Sequence, residues 1–386
     1  MSLAGLSTAA AVAGPAVLSP ATAAGRVPRD PAHRAVATER ALQKYFAADH
    51  GLLHETYPND GQNPYSYEWP YSQAVIGAID LAGMRHGWTW RTLVRHRIDR
   101  WAAYWNPDPA FGPPHYDSYV RPPLGGGGDA FYDDNEWVAL ALLEWHYLTG
   151  DRWALRRAAE IFELIVYGWD DDPSHPYPGG VFWTQASWST DRNTVSNGPG
   201  AQVGAHLYLL TGRRRYLHWA KRMVEWTDGC LLAPNGLYWD HVALDGTIEK
   251  TQWSYNQGVM LGAKTLLYKA TRDHRYLRQA RDIERAALEF YGAVGADGQT
   301  AYFTQPAEFN AIFFANCLQL DALRHGRAGY AAMRRYAAES DRSYLDHRTG
   351  LYRFDGDQPV TLLHQAAMVR INAMLAWSPN NWHKLT

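Results

Sequence analysis

The chain has 386 residues, 46% of them hydrophobic, and its 37 basic and 39 acidic side chains leave a formal charge of -2. This balance predicts neither a nucleic-acid-binding surface nor a disordered acidic tail, and beyond the N-terminal segment no run approaches the roughly 18 uncharged apolar residues of a membrane span. The 17 Trp and 24 Tyr exceed the needs of a core; most should pack between helices, while a few suit stacking on sugar rings in a long cleft.

The first thirty residues have the composition of an export leader. Residues 4–24 form an apolar, Ala-rich stretch with small residues at its end, and they resemble a signal peptide that lacks its usual basic start. Met1–Leu3 are expected to be a cloning remnant. We therefore expect residues 1–30 to be a leader, residues 31–386 to form one domain, and the protein to be secreted.

Helix endings recur along the chain at a regular spacing. The segments Leu148–Asp151, Leu210–Arg213 and Ala270–Asp273 each close an apolar helical pattern and lie 62 and 60 residues apart. A helical hairpin with its loop fills a comparable length, so the period predicts an array of helical hairpins.

Extending this period predicts twelve helices in two alternating sets. Apolar helices with many small residues are predicted near 72–84, 135–149, 198–211, 257–270, 310–325 and 364–377. More charged, amphipathic helices are predicted near 35–48, 91–104, 152–167, 214–228, 274–291 and 327–341. We interpret the first set as an inner ring and the second as an outer ring, and six hairpins can close into a toroid. The predicted fold is all-α, with small β-hairpins in the loops at Gly179–Trp183, Gly236–Trp239 and Gly350–Tyr352.

Every predicted inner helix opens with polar side chains. If these helices run parallel, the polar groups converge on one end of the ring and form a site for a polyhydroxylated ligand, although each set alone also resembles an N-cap. The residues are Glu68, Gln73, Asp133, Asp134, Ser196, Asn197, Tyr255, Asn256, Gln257, Glu308, Asn310, His364 and Gln365. Aromatic residues in the same loops are either walls of that site or loop packing, namely Trp69, Tyr71, Tyr132, Trp183, Trp188, Trp253 and Tyr255.

Asp133 and Asp134 place two adjacent carboxyl groups where a helix begins. Two acids held this close cannot both ionise freely, so one is pushed toward a raised pKa while the other stays charged. Glycoside hydrolysis requires this division of roles. The alternative is a capping box, in which Asp133 accepts from the backbone and Glu136 reaches back.

Three motifs together resemble glycoside hydrolase family 76, the endo-α-1,6-mannanases. They are Phe131–Trp137, Ser196–Gly198 and Trp253–Gly258, and the likeness runs from about residue 35 to the end. This resemblance implies an (α/α)6 barrel that cleaves α-1,6-linked mannan by retaining double displacement, without a cofactor. Two features depart from the family's pattern, namely Ser254 in place of the more usual Thr and a Gly125–Gly128 run that predicts a loose loop before the acids.

Carried over to this chain, the resemblance assigns Asp133 as nucleophile and Asp134 as general acid and base. We further expect Asp134 to have the higher pKa, because repulsion from Asp133 and a less solvated niche must outweigh the field of the helix N-terminus. Substrate binding is expected at Tyr132, Asn135, Trp183, Trp188, Asn197, Tyr255, Asn256, Gln257, Glu68 and Trp69.

Two other kinds of protein fit parts of the pattern. One is another helical-toroid sugar enzyme, either an N-acylglucosamine epimerase-like isomerase or an unsaturated-uronide hydrolase. The epimerase chemistry would use imidazoles among His54, His115, His206, His241 and His364 as proton shuttles. The other is a glycan-binding protein without catalysis.

No motif predicts a metal or a partner other than the polysaccharide. Cys230 and Cys317 are too few for a Cys-rich metal site and would pair only in an oxidising compartment. Asp170–Asp172 and the Asp355, Asp357 pair do not extend into a calcium loop. We expect a monomer that binds no nucleic acid and has no membrane span.

Overall fold

The computed structural model describes residues 30–324, 326–356 and 358–386. The expected leader, apart from its last residue, therefore lies outside the described residues, as do the expected remnant Met1–Leu3 and Asp357 of the second acidic turn.

Twelve α-helices make up most of the described chain, and they alternate between two rings. In chain order they are α1 (Pro31–Phe46), α2 (Glu68–Gly83), α3 (Arg91–Arg100), α4 (Tyr132–Thr149), α5 (Arg152–Tyr167), α6 (Thr194–Thr211), α7 (Arg214–Cys230), α8 (Ser254–Thr271), α9 (His274–Gly292), α10 (Ala307–Arg324), α11 (Ala328–Ser343) and α12 (Leu362–Ala376). Each even-numbered helix packs against the next even-numbered one, and α12 returns to pack against α2. The odd-numbered helices lie outside this ring, so the fold is the predicted (α/α)6 barrel.

Side-chain patterns explain which helices are inside. In α9 the buried residues recur at helical spacing on one face, as Leu277, Ala280, Ile283, Glu284, Ala287 and Tyr291. In α8, by contrast, every residue from Asn256 to Leu267 is buried, as expected of a helix surrounded by protein. No disulfide joins Cys230 on α7 to Cys317 on α10.

The tight turns from inner to outer helix keep the repeat predicted from the sequence. Thr149, Thr211 and Thr271 each donate a hydroxyl hydrogen bond to the carbonyl four residues earlier. The next residue is left-handed in all three turns, with φ of 75° at Gly150, 69° at Gly212 and 61° at Arg272. Only the third turn places a side chain in this conformation, which costs free energy in any L-residue other than glycine.

Changing Arg272 to Gly should therefore raise the free energy of unfolding by about 0.5–1 kcal/mol, since glycine reaches the left-handed region without strain. Urea unfolding measures this gain. Arg272→Ala is the matched control, because it removes the same side chain and keeps a Cβ at positive φ; an equal gain in that variant would contradict the explanation.

Within the described ranges, nine short strands lie in the long loops that lead from an outer helix to the next inner helix. They are β1 (Thr56–Tyr57), β2 (Trp105–Asn106), β3 (His115–Tyr116), β4 (Asp191–Asn193), β5 (His241–Ala243), β6 (Ile248–Glu249), β7 (Leu345–Asp346), β8 (Leu351–Tyr352) and β9 (Val360–Thr361). The antiparallel pairings are β1–β9, β2–β3, β4–β5–β6 and β7–β8. All these loops enter at the N-terminal end of the inner ring, so that end carries the irregular structure.

The three predicted loop hairpins are only partly correct. Leu351 and Tyr352 form the predicted hairpin with β7. The segment at Tyr238 makes only a single bridge, to Leu232. In the segment at Gly179–Trp183, Val181 bridges to Trp169 and Phe182 to Arg192, so this segment pairs with two other stretches of chain instead of forming its own hairpin.

The inner helices begin two to four residues earlier than predicted, and this changes the role of their polar residues. Asn135, Asn197, Gln257 and Gln365 occupy the fourth position of their helices. Each accepts from the N–H of one loop residue, and each also donates to that residue's C=O, at Tyr116, Val181, Tyr238 and Tyr352 respectively. We call these four side chains the amide clamps. They hold the loops on the barrel, and all four are fully buried.

The Gly125–Gly128 run is not the loose loop that was predicted. Gly125 and Gly127 donate backbone hydrogen bonds to the carbonyls of Arg121 (3.2 Å) and Val120 (2.9 Å). Gly127 has a φ of 75°, and a Cβ on Gly125 would lie 2.6 Å from the Val120 oxygen. Gly125 thus allows a close-packed turn, because a side chain there would collide with the Val120 carbonyl, and Gly127 supplies the positive φ.

Candidate active site

A cleft with a volume of about 770 Å³ opens at the N-terminal end of the inner ring. Inner helices and the long loops both contribute to its walls. The lining residues are Glu55, Tyr67, Trp69, Pro70, Ser118, Asp129, Phe131, Asp133, Asp134, Trp137, Trp183, Asp191, Asn193, Val195, Asp240, His241, Tyr255, Phe309 and Leu363. The starts of the inner helices do meet at this cleft, but of the polar residues predicted to converge there only Asp133, Asp134 and Tyr255 line it, and loop residues supply much of the rest.

Asp133 and Asp134 lie in the first turn of α4 and both line this cleft. The Trp183 indole Nε1 donates to Asp133 Oδ2 at 3.3 Å. Asp133 Oδ1 is buried and has no hydrogen-bond partner among the described residues. Phe131 is the N-cap and the helix has no side-chain cap, so the capping-box alternative is wrong: Asp133 lies inside the helix, and Glu136 does not reach back.

The loop before α6 sets the position of Trp183. Tyr132 N–H donates to the Trp183 carbonyl at 2.9 Å, and Thr184 Oγ1 donates to the carbonyl of Ala130 at 2.8 Å. Phe131 packs edge-on against the Trp183 ring with centroids 5.0 Å apart. This backbone pairing at the start of α4 places the indole N–H beside Asp133.

Burial shifts the titration of both carboxyls. Burial raises the pKa of Asp134 to about 7. Burial also raises the pKa of Asp133 well above its ordinary value and the charge on Asp134 adds to this rise, while hydrogen bonds from backbone N–H groups and from Trp183 oppose it. Since a charge on either carboxyl raises the pKa of the other, the two titrate as a pair. Which carboxyl has the higher pKa stays a prediction.

A third carboxyl, Asp240, is held on the wall formed by the loop before α8. Asn256 Nδ2 donates to Asp240 Oδ1 at 2.9 Å, and His241 Nδ1 lies 2.9 Å from Asp240 Oδ2. The hydrogen bond with Asp240 raises the pKa of His241. Pairing of β4 with β5 sets Asn193 opposite His241 and brings Asp191 to the same wall.

Aromatic rings form the side of the cleft near α10. Tyr255 and Phe309 stack with centroids 3.9 Å apart and planes 12° apart, and Trp69 lies 6.1 Å from Phe309. Trp188 is 54% exposed and contacts Phe131 and Trp183, while its Nε1 donates to Asp129 at 3.3 Å. These rings offer flat apolar faces of the kind that pack on pyranose rings.

The structure divides the sequence-predicted site residues into three groups. Asp133, Asp134, Trp69, Trp183 and Tyr255 line the cleft. Trp188 and Asn256 are not among the lining residues, but each donates a hydrogen bond to one of them, Trp188 to Asp129 and Asn256 to Asp240.

The remaining predicted residues do not line the cleft. Asn135, Asn197 and Gln257 are amide clamps whose polar atoms are used by loop backbone. Glu68 is fully buried and accepts from Trp101 Nε1 at 3.0 Å. Tyr132 is 3% exposed and borders a neighbouring cavity with Tyr167. These five residues were predicted to bind substrate. The structure corrects that prediction, because burial or local hydrogen bonds keep their side chains off the cleft wall.

Sequence reasoning missed several cleft residues, among them Asp129, Asp191, Asp240 and Phe309. Asp240 directly follows the Gly236–Trp239 segment that was singled out as a loop strand. An acid and a histidine at the end of that strand are a signal that could have found this wall. Phe309 directly follows Glu308, which was included among the polar helix starts.

The five histidines considered as proton shuttles are dispersed. His206 is fully buried, which lowers its pKa to about 3, and it bonds to Tyr147. His115 pairs with Asp117, His54 bonds to the Pro64 carbonyl, and His364 lies 3.4 Å from Asp355. Only His241 of these five lines the cleft.

The described residues also bear on metal binding and on membrane insertion. Within them, no group of three or more His, Cys, Asp or Glu side chains is placed to hold a metal ion. Asp170, in the first acidic turn, instead accepts from Arg192 at 2.7 Å. In the same part of the chain, every helix is too short or too polar to cross a membrane.

Comparisons with known proteins agree on one family. The sequence profile described as Glycosyl hydrolase family 76 matches residues 31–318. Mannan endo-1,6-alpha-mannosidase DCW1 of Candida glabrata is 30% identical over 186 residues, which cover 44% of this chain and 39% of that protein. The chain thus matches well under half the length of this curated relative.

Two solved structures share the fold. A family 76 mannosidase from Bacteroides thetaiotaomicron has a TM-score of 0.77 at 24% identity, covering 90% of this chain and 98% of its own. The other is an inactive variant of an α-1,6-mannanase from Salegentibacter, with two consecutive aspartates changed to asparagine, in complex with α-1,6-mannotriose. Its TM-score is 0.71 at 21% identity, covering 90% of this chain and 99% of its own.

Proposed function

The chain belongs to glycosyl hydrolase family 76, and on this premise we propose that it hydrolyses α-1,6-mannosidic bonds in mannan with Asp133 and Asp134 as catalytic carboxyls. The observation that carries the proposal is the adjacent carboxyl pair in the cleft, with one member held by the Trp183 indole. The Salegentibacter mannanase supports it, since replacing two consecutive aspartates made that enzyme inactive.

In the first step, an oxygen of Asp133 attacks C1 of the mannose on the non-reducing side of the bond. The Trp183 indole N–H holds Oδ2 of this carboxyl group and so fixes its orientation at the cleft wall. Asp134 donates its proton to the glycosidic oxygen, the C1–O bond breaks, and the leaving chain departs as an alcohol. A mannosyl ester on Asp133 remains.

In the second step, Asp134 acts in the opposite direction. Now ionised, it takes a proton from a water molecule, whose oxygen attacks C1 and displaces the Asp133 carboxylate. Two inversions at C1 give a product with the α configuration of the substrate. Asp134 regains its proton and Asp133 its charge, so the pair is ready for another cycle.

The opposite wall of the cleft suits recognition of a sugar. Asn256 and His241 hold the Asp240 carboxylate in one orientation, so it can accept hydrogen bonds from ring hydroxyls without first losing side-chain freedom. The stacked Tyr255 and Phe309 rings offer an apolar face nearby. Asn256 is a positioning residue, because it acts through Asp240.

Incubation with linear α-1,6-mannan tests the proposal. We expect reducing ends to accumulate with the native chain. They should not accumulate with the double variant Asp133→Asn, Asp134→Asn, nor when the native chain is given β-1,4-mannan. If the polymer binds and stays intact with the native chain, the protein is a glycan-binding protein and the proposal fails.

The enzymatic alternatives have less support. Epimerisation by imidazoles would need two shuttles at the sugar, and of the five histidines considered only His241 lines the cleft. A uronide hydrolase must bind a carboxylate, and no Lys or Arg is among the described residues that line the cleft.

The pKa values predict the pH dependence of hydrolysis. Asp134 must be protonated for the first step, and its pKa of about 7 predicts that kcat/KM falls above that pH, by about tenfold per pH unit once most of the enzyme is deprotonated. Below the pKa of the pair's other proton, protonation of Asp133 lowers kcat/KM as well. The control is Asp134→Asn with an activated aryl mannoside, which should lose the alkaline fall. A native profile that stays flat to pH 9 would contradict these roles.

We also propose that residues 31–386 act as one secreted, monomeric catalytic domain. The signal-like composition of residues 4–24 supports secretion, and the closed ring of inner helices supports a single domain. Recovery of the protein from the medium of producing cells, and a sedimentation mass of one chain, are the expected results; a dimer or a wholly cytoplasmic protein would contradict them.

A further inference from the structure

The charge of the cleft is strongly one-sided. Six of its lining residues carry carboxyl groups, and among the described residues that line it there is no Lys or Arg; His241 is the one basic side chain. The carboxyl residues are Glu55, Asp129, Asp133, Asp134, Asp191 and Asp240. Two of them are enough for the proposed hydrolysis, so the other four need a different explanation.

This charge is local, because the whole chain carries a formal charge of only -2. Strand β4 shows how the fold separates the charges. Asp191 and Asn193 line the cleft, while Arg192 between them is fully buried on the other side of the strand. Arg192 donates to Asp170 at 2.7 Å and to the carbonyls of Pro176 and Ala243, both at 3.1 Å.

The proposed hydrolysis needs Asp134 in its protonated form, and burial raises the pKa of Glu55 to about 6, so the negative charge of the cleft depends mainly on its other carboxyls, which no Lys or Arg among the lining residues neutralises. Trp183 and Trp188 supply uncharged indole N–H groups to Asp133 and Asp129. Asn256 supplies an uncharged amide to Asp240, for which His241 is the only partner that can become positive. Asp133 is 8% exposed, and its Oδ1 has no partner among the described residues. The negative field therefore extends into the space that a ligand would occupy, where low-dielectric walls strengthen it.

We infer that the cleft selects its glycan by charge, accepting neutral or cationic α-1,6-mannosyl chains and rejecting chains that carry phosphate or carboxylate groups within it. This inference rests on the proposed function, because hydrolysis is its readout. The physical cause is repulsion between like charges in a partly desolvated cleft, which acts against wrong partners more than it strengthens binding of the right one.

Three matched tetrasaccharides test the inference. All three are α-1,6-mannotetraose and differ only at C6 of the non-reducing end. This carbon carries a hydroxyl in the first, a phosphate in the second and a protonated amine in the third. At low ionic strength we expect kcat/KM for the phosphate to be about tenfold or more below that for the hydroxyl, and the amine to match or exceed the hydroxyl. The difference should shrink in about 1 M salt, where charges are screened over about 3 Å.

Two variants show whether cleft carboxyls cause the discrimination. Asp129→Asn and Asp191→Asn should each lower the ratio of kcat/KM for the hydroxyl substrate to kcat/KM for the phosphate substrate. Asp282→Asn removes the same charge from an exposed position on α9, and it should leave the ratio unchanged. Equal rates on all three native substrates, or equal narrowing by Asp282→Asn, would overturn charge selection while leaving the proposed hydrolysis intact. No cleavage of the neutral tetrasaccharide or of the parent mannan would instead sink the proposed function.

Discussion

The Asp133→Asn variant is expected to lose at least about 10³-fold in kcat on α-1,6-mannan, because an amide oxygen cannot form the mannosyl ester on which both steps depend. Its fold should be retained, since Asn has nearly the shape of Asp and Trp183 can still donate to its oxygen. Steady-state kinetics with quantified reducing ends measures the loss.

A stability measurement separates loss of chemistry from loss of structure. The pKa of Asp133 is raised in the folded state, so the charged form is less favourable there than in the unfolded chain, and its destabilising effect grows as the pH rises through the folded pKa. Asp133→Asn should therefore have an unchanged or higher Tm at pH 8. A lower Tm together with lost activity would point to misfolding and contradict the catalytic assignment.

Asp134→Asn should show a different pattern, because its role is proton transfer. On mannan we expect a loss of about 10²–10⁴-fold. On an aryl mannoside with a good leaving group, formation of the ester needs no proton, so a smaller loss and a burst of released phenol are expected. If both substrates lose activity equally in this variant, while Asp133→Asn keeps activity on mannan, the two roles are assigned wrongly.

The second large effect is expected on stability, in the Gln257→Ala variant. This change removes hydrogen bonds to Tyr238 N (2.7 Å) and O (3.0 Å) and to the Trp253 carbonyl (3.0 Å). Tyr238 is fully buried, so its backbone groups would lose partners without gaining water. At about 1–3 kcal/mol for each buried polar group left unsatisfied, we expect the free energy of unfolding to fall by about 2–4 kcal/mol.

Gln252→Ala is the matched control for this prediction. Gln252 makes two hydrogen bonds with Asn235, but that pair is exposed and water can replace them. Its loss should cost less than about 0.5 kcal/mol, as is usual for surface substitutions. Similar unfolding midpoints for the two variants would show that the amide clamp adds little to the fold.

Gln257→Ala should also lower activity, because Tyr238 lies two residues before Asp240. Release of this loop frees the wall that holds the Asp240 carboxylate against Asn256. We therefore expect an increase in KM larger than the decrease in kcat, since the carboxyl pair on α4 is not moved.

The barrel could be predicted from the sequence because its signals are periodic. The Thr-containing helix endings at 149, 211 and 271 recur, and the same hydroxyl-to-carbonyl bond occurs at each of them in the structure. The contrast between α8, buried all round, and α9, buried on one face, is also readable as composition. Such patterns depend on residues close in the chain, so they need no knowledge of the tertiary fold.

Helix starts were harder, because the first turn lacks the periodic pattern. Each inner helix begins within the segment that looked like a polar cap. At these starts, a polar side chain can bind either substrate or loop backbone, and composition does not distinguish the two. Asp133 faces the cleft, whereas Asn135, two residues later, turns to Tyr116. The difference arises because the two side chains point in different directions around the helix axis, and the loop that contains Tyr116 packs against the side on which Asn135 lies.

The far wall could not be predicted because it is assembled from distant segments. Tyr255 stacks on Phe309, and Asn193 pairs with His241, across long separations in the chain. No local motif encodes such contacts; they arise when the ring closes and the loops lie side by side. The adjacent acids were predicted because their chemistry depends on sequence neighbours. Asp240 was missed because Asn256, which also holds it, lies on another element, although His241 follows it directly in the chain.

Time-resolved proton NMR of the digestion of α-1,6-mannan tests the central claim most directly, since it reports bond cleavage and anomeric configuration together. If Asp133 and Asp134 carry out double displacement, the first reducing ends to appear are α anomers, and β anomers follow only through mutarotation. Reducing ends that appear first as β anomers would contradict the covalent role of Asp133, and a mannan spectrum that does not change would contradict hydrolysis itself.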